Sequence, residues 1–466
     1  MAKELWQESA SSLAQLIRSG ETSSREVAQA HLERIDAVNA SINAVVQVRP
    51  DEVLAEADAA DAKMRVGGAL GALHGVPFSV KTNLDVAGYA TTEGSAALKD
   101  VMASRDAPIV EKMRDAGAVM LARTNMPDLG LRINAESSLY GATHNPWKHG
   151  FTAGGSSGGE AAAIASGMSP IGLGNDIGGS LRNPAFCCGI ASIKPSRGRV
   201  AQGNPSAAFE MTINAQVMLA DGVLARHVGD VRRGLEVVMG AHRGDPQSID
   251  APLRGRPVSK RVALVVEPIG GETHKDVAEG VRIAGRALEA AGYDVEEVEV
   301  PMLFDAYVAW SELMMTSLKV AKPRIDPFMG EGGRRFLELT SIEFPAATPE
   351  SMAMMFESRY RVARAWRDFF STYPLIVGPT WTQPPFAHGY DIQDQGSAMK
   401  VVELFRFVLP ANLLGLPAAC VPTGVANGLP TGAQIIADLL REDLCLDAAE
   451  AIEQSVGVLT PIDPRP

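Results

Sequence analysis

The chain has 466 residues, 46% of them hydrophobic and 21% charged. That mix is globular and excludes a disordered chain or a long coiled coil. The formal net charge of −12 comes without a basic run, so nucleic acid is not the expected ligand.

Helices open the chain. Leu13, Leu16 and Ile17 share one face, and Gly20 can close that helix. Ser23 and Glu26 have capping-box spacing ahead of a second helix, and a third is predicted over Asp51–Met64. The N-terminus carries Lys3, Glu4 and Glu8 without an apolar stretch, so no signal peptide is expected. Val76–Val80 reads as a short buried strand ending on Lys81. Pro108–Ala116 reads as a helix and Gly117–Ala122 as a strand, an α/β alternation. A glycine-rich stretch follows from Thr152 to Pro195, with a small-residue helix over Glu160–Ser166 and a strand over Pro170–Gly174. Beyond Arg254 the pattern resumes. Strands are predicted over Arg261–Val266, Val295–Val300, Leu375–Val377, Ala418–Val421 and Gly432–Ile436. Helices are predicted over Val277–Ala291, Leu303–Phe370 and Asp443–Gln454. The uncharged run Phe407–Ala437 is long enough for a membrane span. Pro410, Pro417, Pro422 and Pro430 break it, so buried strands and turns are expected. Cys187, Cys188, Cys420 and Cys445 fit no metal spacing. They point to a reduced, cytoplasmic protein, with Cys187 and Cys188 in the core.

Two glycine-flanked serine sites dominate the chemistry: Gly154-Gly155-Ser156-Ser157-Gly158-Gly159 and Asp176-Ile177-Gly178-Gly179-Ser180-Leu181-Arg182. Together with Lys81 they resemble the signature of the amidase signature family. Further matches run along the chain: Gly75–Lys81, Thr124–Pro127, Tyr140–Trp147, Ile193–Pro195, Asn412–Pro417 and Leu429–Gln434.

The resemblance implies a Ser–Ser–Lys triad. Ser180 would be the nucleophile, Ser156 a bridging serine held by a cis peptide bond, and Lys81 the base. The roles are chemically coherent. A serine hydroxyl needs a neighbouring base, and lysine can be that base only when burial lowers its proton affinity. The N–H groups of Ile177, Gly178, Gly179 and Ser180 would form an oxyanion hole. Asp176, Arg182 and Ser157 would brace it. Gly130, Leu131, Ile133 and Gly155 would bind substrate. The resemblance also implies one α/β domain over 1–466, a mixed twisted sheet covered by helices on both sides. Within it, 1–65 would be N-terminal helices, 66–200 the catalytic core and 201–466 the rest of the sheet and substrate-side helices.

The expected activity is hydrolysis of small apolar or aryl amides or carbamates (urethanes) by a monomer or homodimer. No metal, cofactor, nucleic acid or membrane is expected to take part. Methionine-rich helices, with Met314 and Met315, could line the pocket. Three other readings stay open: the amidase subunit of a tRNA-dependent amidotransferase, a catalytically silent binding protein on an amidase scaffold, and an esterase with Ser156 on a nucleophile elbow and His388 as partner. Three positions depart from the family pattern. They are Thr82 where Asp is common, Asn175 where Ser or Thr is common, and Val223 where Pro is usual.

Overall fold

The computed structural model describes residues 4–341 and 348–465. One mixed sheet of eleven strands runs through the molecule. In chain order the strands are β1 (Val45–Val48), β2 (Pro77–Lys81), β3 (Val119–Thr124), β4 (Ile171–Asp176), β5 (Ala191–Lys194), β6 (Ala220–Ala225), β7 (Arg261–Leu264), β8 (Asp294–Glu297), β9 (Leu375–Pro379), β10 (Ala418–Ala426) and β11 (Leu429–Ala437). Their order across the sheet is β1-β3-β2-β4-β6-β5-β10-β11-β9-β7-β8. The β3–β2 and β2–β4 pairs are parallel, as are β9–β7 and β7–β8. The middle of the sheet, from β4 to β9, is antiparallel.

Successive side chains on a strand point to opposite faces. Strand β2 uses this directly. Phe78 and Val80 join one apolar cluster, with Val231, Val281 and Leu446 from covering helices. Ser79 and Lys81 emerge on the other face, beside the helix Gly158–Ala165. A second apolar cluster fills that face with Ala161, Leu181, Trp310 and Phe407. The sheet is thus covered on both sides, as expected.

Local signals in the sequence act as read. Gly20 closes Ala10–Ser19 in the left-handed conformation, and Ser23 and Glu26 form the capping box of Ser24–Ile42. The long helical stretch breaks into Leu303–Ile325, Glu331–Thr340 and Pro349–Thr372; its part over 342–347 lies outside the described residues. The expected strand Val295–Val300 is shorter, at Asp294–Glu297. Strands β5 and β6 carry no clear local signal that marks them as strands, whereas the Val-Val-Gln-Val run of β1 is rich in β-branched valine. The uncharged run becomes a short helix, Leu409–Leu413, followed by the β10–β11 hairpin. No helix among the described residues is long and apolar enough to cross a membrane. All four cysteines are buried free thiols.

Candidate active site

The lysine comes from the end of β2, fully buried. Its Nζ lies 2.6 Å from Ser156 Oγ and donates to Asn175 Oδ1 at 2.8 Å. Burial brings its pKa down to about 7, against the pull of Asp176, Asp221, Glu93 and Glu160, which favour the charged form. Near neutral pH such a lysine is free to take a proton.

Ser156 follows Gly155 through a cis peptide bond. The turn it occupies is pressed against the second serine turn: the Ser157 N–H donates to the Ser180 carbonyl at 3.2 Å. The Ser157 hydroxyl is buried without a hydrogen-bond partner among the described residues. Gly130 faces Ser156 so closely that a Cβ there would sit 3.3 Å from Ser156 Oγ.

Ser180 sits where β4 ends and the helix Arg182–Cys188 begins. Asp176 and Arg182 are fully buried and paired twice, at 2.9 and 3.0 Å. Burial alone would raise the Asp176 pKa, but the Arg182 guanidinium overrides this and holds the carboxylate well below its usual range. Arg182 also donates to Gln434 at 2.8 Å and Asn412 at 2.6 Å. Both distant motifs near the C-terminus therefore converge on the turn that carries Ser180.

This bracing corrects one expectation. The Gly179 N–H donates to Asp176 Oδ1 at 2.7 Å, so it is not free to meet an oxyanion. The N–H groups of Ile177, Gly178 and Ser180 have no acceptor among the described residues. Trp310 holds the turn from the other side, its indole N–H donating to the Ile177 carbonyl at 2.9 Å.

A cavity of about 220 Å³ opens at Ser180. Leu129–Ile133, Ile177 and Gly178 form one wall, and Trp310, Met314, Met315, Phe336 and Phe405 form the other. Gly130, Leu131 and Ile133 are thus at the cavity as expected. Gly155 is not: it packs beneath the loop, where a Cβ would lie 2.5 Å from the Ile133 carbonyl carbon. The aromatic wall escapes sequence reasoning, because Trp310, Phe336 and Phe405 lie far from the serine motifs in sequence. The polar lining groups are already engaged. Ser311 donates to the Tyr307 carbonyl, Thr340 to the Phe336 carbonyl, and Asn214 to Met314 Sδ. Arg132, a charged lining residue, is paired with Asp391 and Glu136. The cavity therefore suits an uncharged apolar group.

The nucleophile-elbow reading finds no support in this geometry. The group at Ser156 Oγ is a lysine, and His388 instead bonds Asn134 at 2.9 Å and packs edge-on against His144. Among the described residues no cluster of His, Cys, Asp or Glu could hold a metal ion.

A mixed sheet that brings a buried lysine, two serines and an apolar cavity together defines an α/β fold with a site suited to serine-based acyl transfer. The Amidase family pattern matches residues 26–446, and the chain belongs to that family. Over 98% of its length it is 41% identical to an indoleacetamide hydrolase of Bradyrhizobium diazoefficiens, spanning 88% of that protein. It is 31% identical to one of the subunits of the glutamyl-tRNA(Gln) amidotransferase of Synechococcus sp., over 96% of each chain. A solved 6-aminohexanoate cyclic dimer hydrolase, complexed with substrate, superposes over 99% of both chains with a TM-score of 0.86 and 28% identity.

Proposed function

We propose that this chain is a serine amidase acting on neutral amides of aryl-bearing or apolar carboxylic acids. Ser180 is its nucleophile, Ser156 its proton bridge and Lys81 its base. The observation that carries this is the contact of Lys81 with Ser156 beside a neutral apolar cavity ending at Ser180. Ser180 Oγ attacks the carbonyl carbon, and its proton passes through the Ser156 hydroxyl to Lys81 Nζ. The oxyanion meets the N–H groups of Ile177, Gly178 and Ser180. The C–N bond then breaks as the proton returns through Ser156 to the leaving nitrogen. Water next attacks the acyl group on Ser180, gives its proton along the same route, and releases the acid.

The resemblance to an indoleacetamide hydrolase fits a planar aromatic acyl group between the Ile133 loop and Trp310. An amidotransferase role is less well supported. Glutamine carries both an ammonium and a carboxylate, and the charged lining residue, Arg132, is already paired. Four free buried thiols fit work in the cytoplasm. Carbamates form a similar tetrahedral intermediate and belong in the same screen. The test is hydrolysis by the purified chain of indole-3-acetamide, phenylacetamide, an aryl carbamate, an anilide and glutamine. Turnover of the aryl amides well above glutamine is expected. Glutamine as the best substrate would overturn the reading.

A further inference from the structure

Asn175 touches the lysine directly: Lys81 Nζ donates to Asn175 Oδ1 at 2.8 Å. An amide oxygen can only accept, whereas a hydroxyl can also donate. Neutral lysine has two N–H bonds and one lone pair. Toward Asn175 Oδ1 it can offer only an N–H. A serine or threonine hydroxyl in that place could rotate, donate to the lone pair and draw it away from Ser156.

The strand neighbour of Asn175 adds to this. Asp221 on β6 is the Cα partner of Asn175 on β4, so the two side chains emerge side by side on one face of the sheet. The Asp221 side chain is buried. Burial raises its pKa to about 7, and the charged groups that act on it are Arg197, Lys81 and Asp245. Those that face Lys81 are Asp176 from β4, Asp221 from β6, Glu93 from the loop after β2 and Glu160 from the helix Gly158–Ala165. Asn175 touches Lys81, and neighbouring Asp221 acts on that lysine through its charge.

We propose that Asn175 is a positioning residue, which turns the lone pair of neutral Lys81 onto the Ser156 hydroxyl. This rests on Lys81 being the base. Asn175 is not among the residues that line the cavity, so its loss should spare substrate binding.

The experiment is kcat, KM and the pH–rate profile on an aryl acetamide for Asn175→Leu, Asn175→Asp and Lys81→Ala. Circular dichroism and thermal melting check the fold of each. Asn175→Leu is expected to lower kcat about tenfold to a hundredfold with KM unchanged, the scale of a misoriented reacting group. Asn175→Asp, close to isosteric, puts a carboxylate against Lys81 and should move the acid limb of the profile up by about one unit or more. An Asn175→Leu enzyme with the parent kcat and profile overturns the proposal. If that variant does not fold, an unmoved acid limb in Asn175→Asp does the same. A Lys81→Ala enzyme that keeps its activity is a separate result, and it removes the base assignment itself.

Discussion

At the scale of single residues, the site depends on a lysine kept out of water. Burial brings Lys81 to about 7, and in the proposed mechanism only its neutral form takes the Ser180 proton through Ser156. Activity should therefore be low below that value and rise with pH through it, levelling off above. A pH–kcat/KM profile with an optimum well below neutrality would contradict the neutral-lysine mechanism. Ser180→Ala should lower kcat at least about a thousandfold, the scale seen when a nucleophile is removed. Bound substrate should remain detectable by calorimetry. The three residues proposed for the chemistry were legible as candidates in the sequence, because each sits in a short motif of fixed order. The contact between Asn175 and the lysine was not, since it joins β2 to β4 across the sheet. The engagement of the Gly179 N–H by Asp176 was also hidden. A Gly-Gly-Ser turn shows which amides can approach a substrate, not which are already bonded.

At the scale of elements, one arginine links the turn bearing Ser180 to distant elements. Arg182 ties the end of β4 to the helix Leu409–Leu413 and to β11 through Asp176, Val408, Asn412 and Gln434. Replacing one partner of such a buried pair leaves an uncompensated charge, at a cost of about 3–5 kcal/mol. Arg182→Leu is expected to lose stability on that scale in urea unfolding. A variant with the parent midpoint would show that Asp176 is held by its other partners. Helix starts and stops were readable where a cap carried them, as at Ser23 and Gly20. Strands β5 and β6 lack a local signal because Ala191–Lys194 has four residues and Ala220–Ala225 includes alanine, aspartate and glycine. Their extended form comes from pairing with each other and with β4 and β10, which is a tertiary cause.

At the scale of the whole molecule, the cavity is assembled from stretches far apart in sequence: the Leu129–Ile133 loop, the Ser180 turn, Asn214, the helices that carry Trp310 and Phe336, and the Val402–Phe405 segment. All of these lining residues belong to this chain. The purified chain alone should hydrolyse an aryl acetamide at a rate per chain that does not change with dilution. A requirement for added partner proteins would instead favour the amidotransferase reading.

The sequence by itself determined the α/β class, the order of its motifs and the three residues proposed to do the chemistry. Those features are written in local patterns: strand alternation, capping residues and glycine-flanked serines. Tertiary structure alone decided the aromatic wall of the cavity, the three N–H groups left open at Ser180, and the role of Asn412 and Gln434 around Arg182. The reason is physical. Burial lowers the lysine's proton affinity and makes the cavity apolar, and burial is a property of residues brought together from the whole chain.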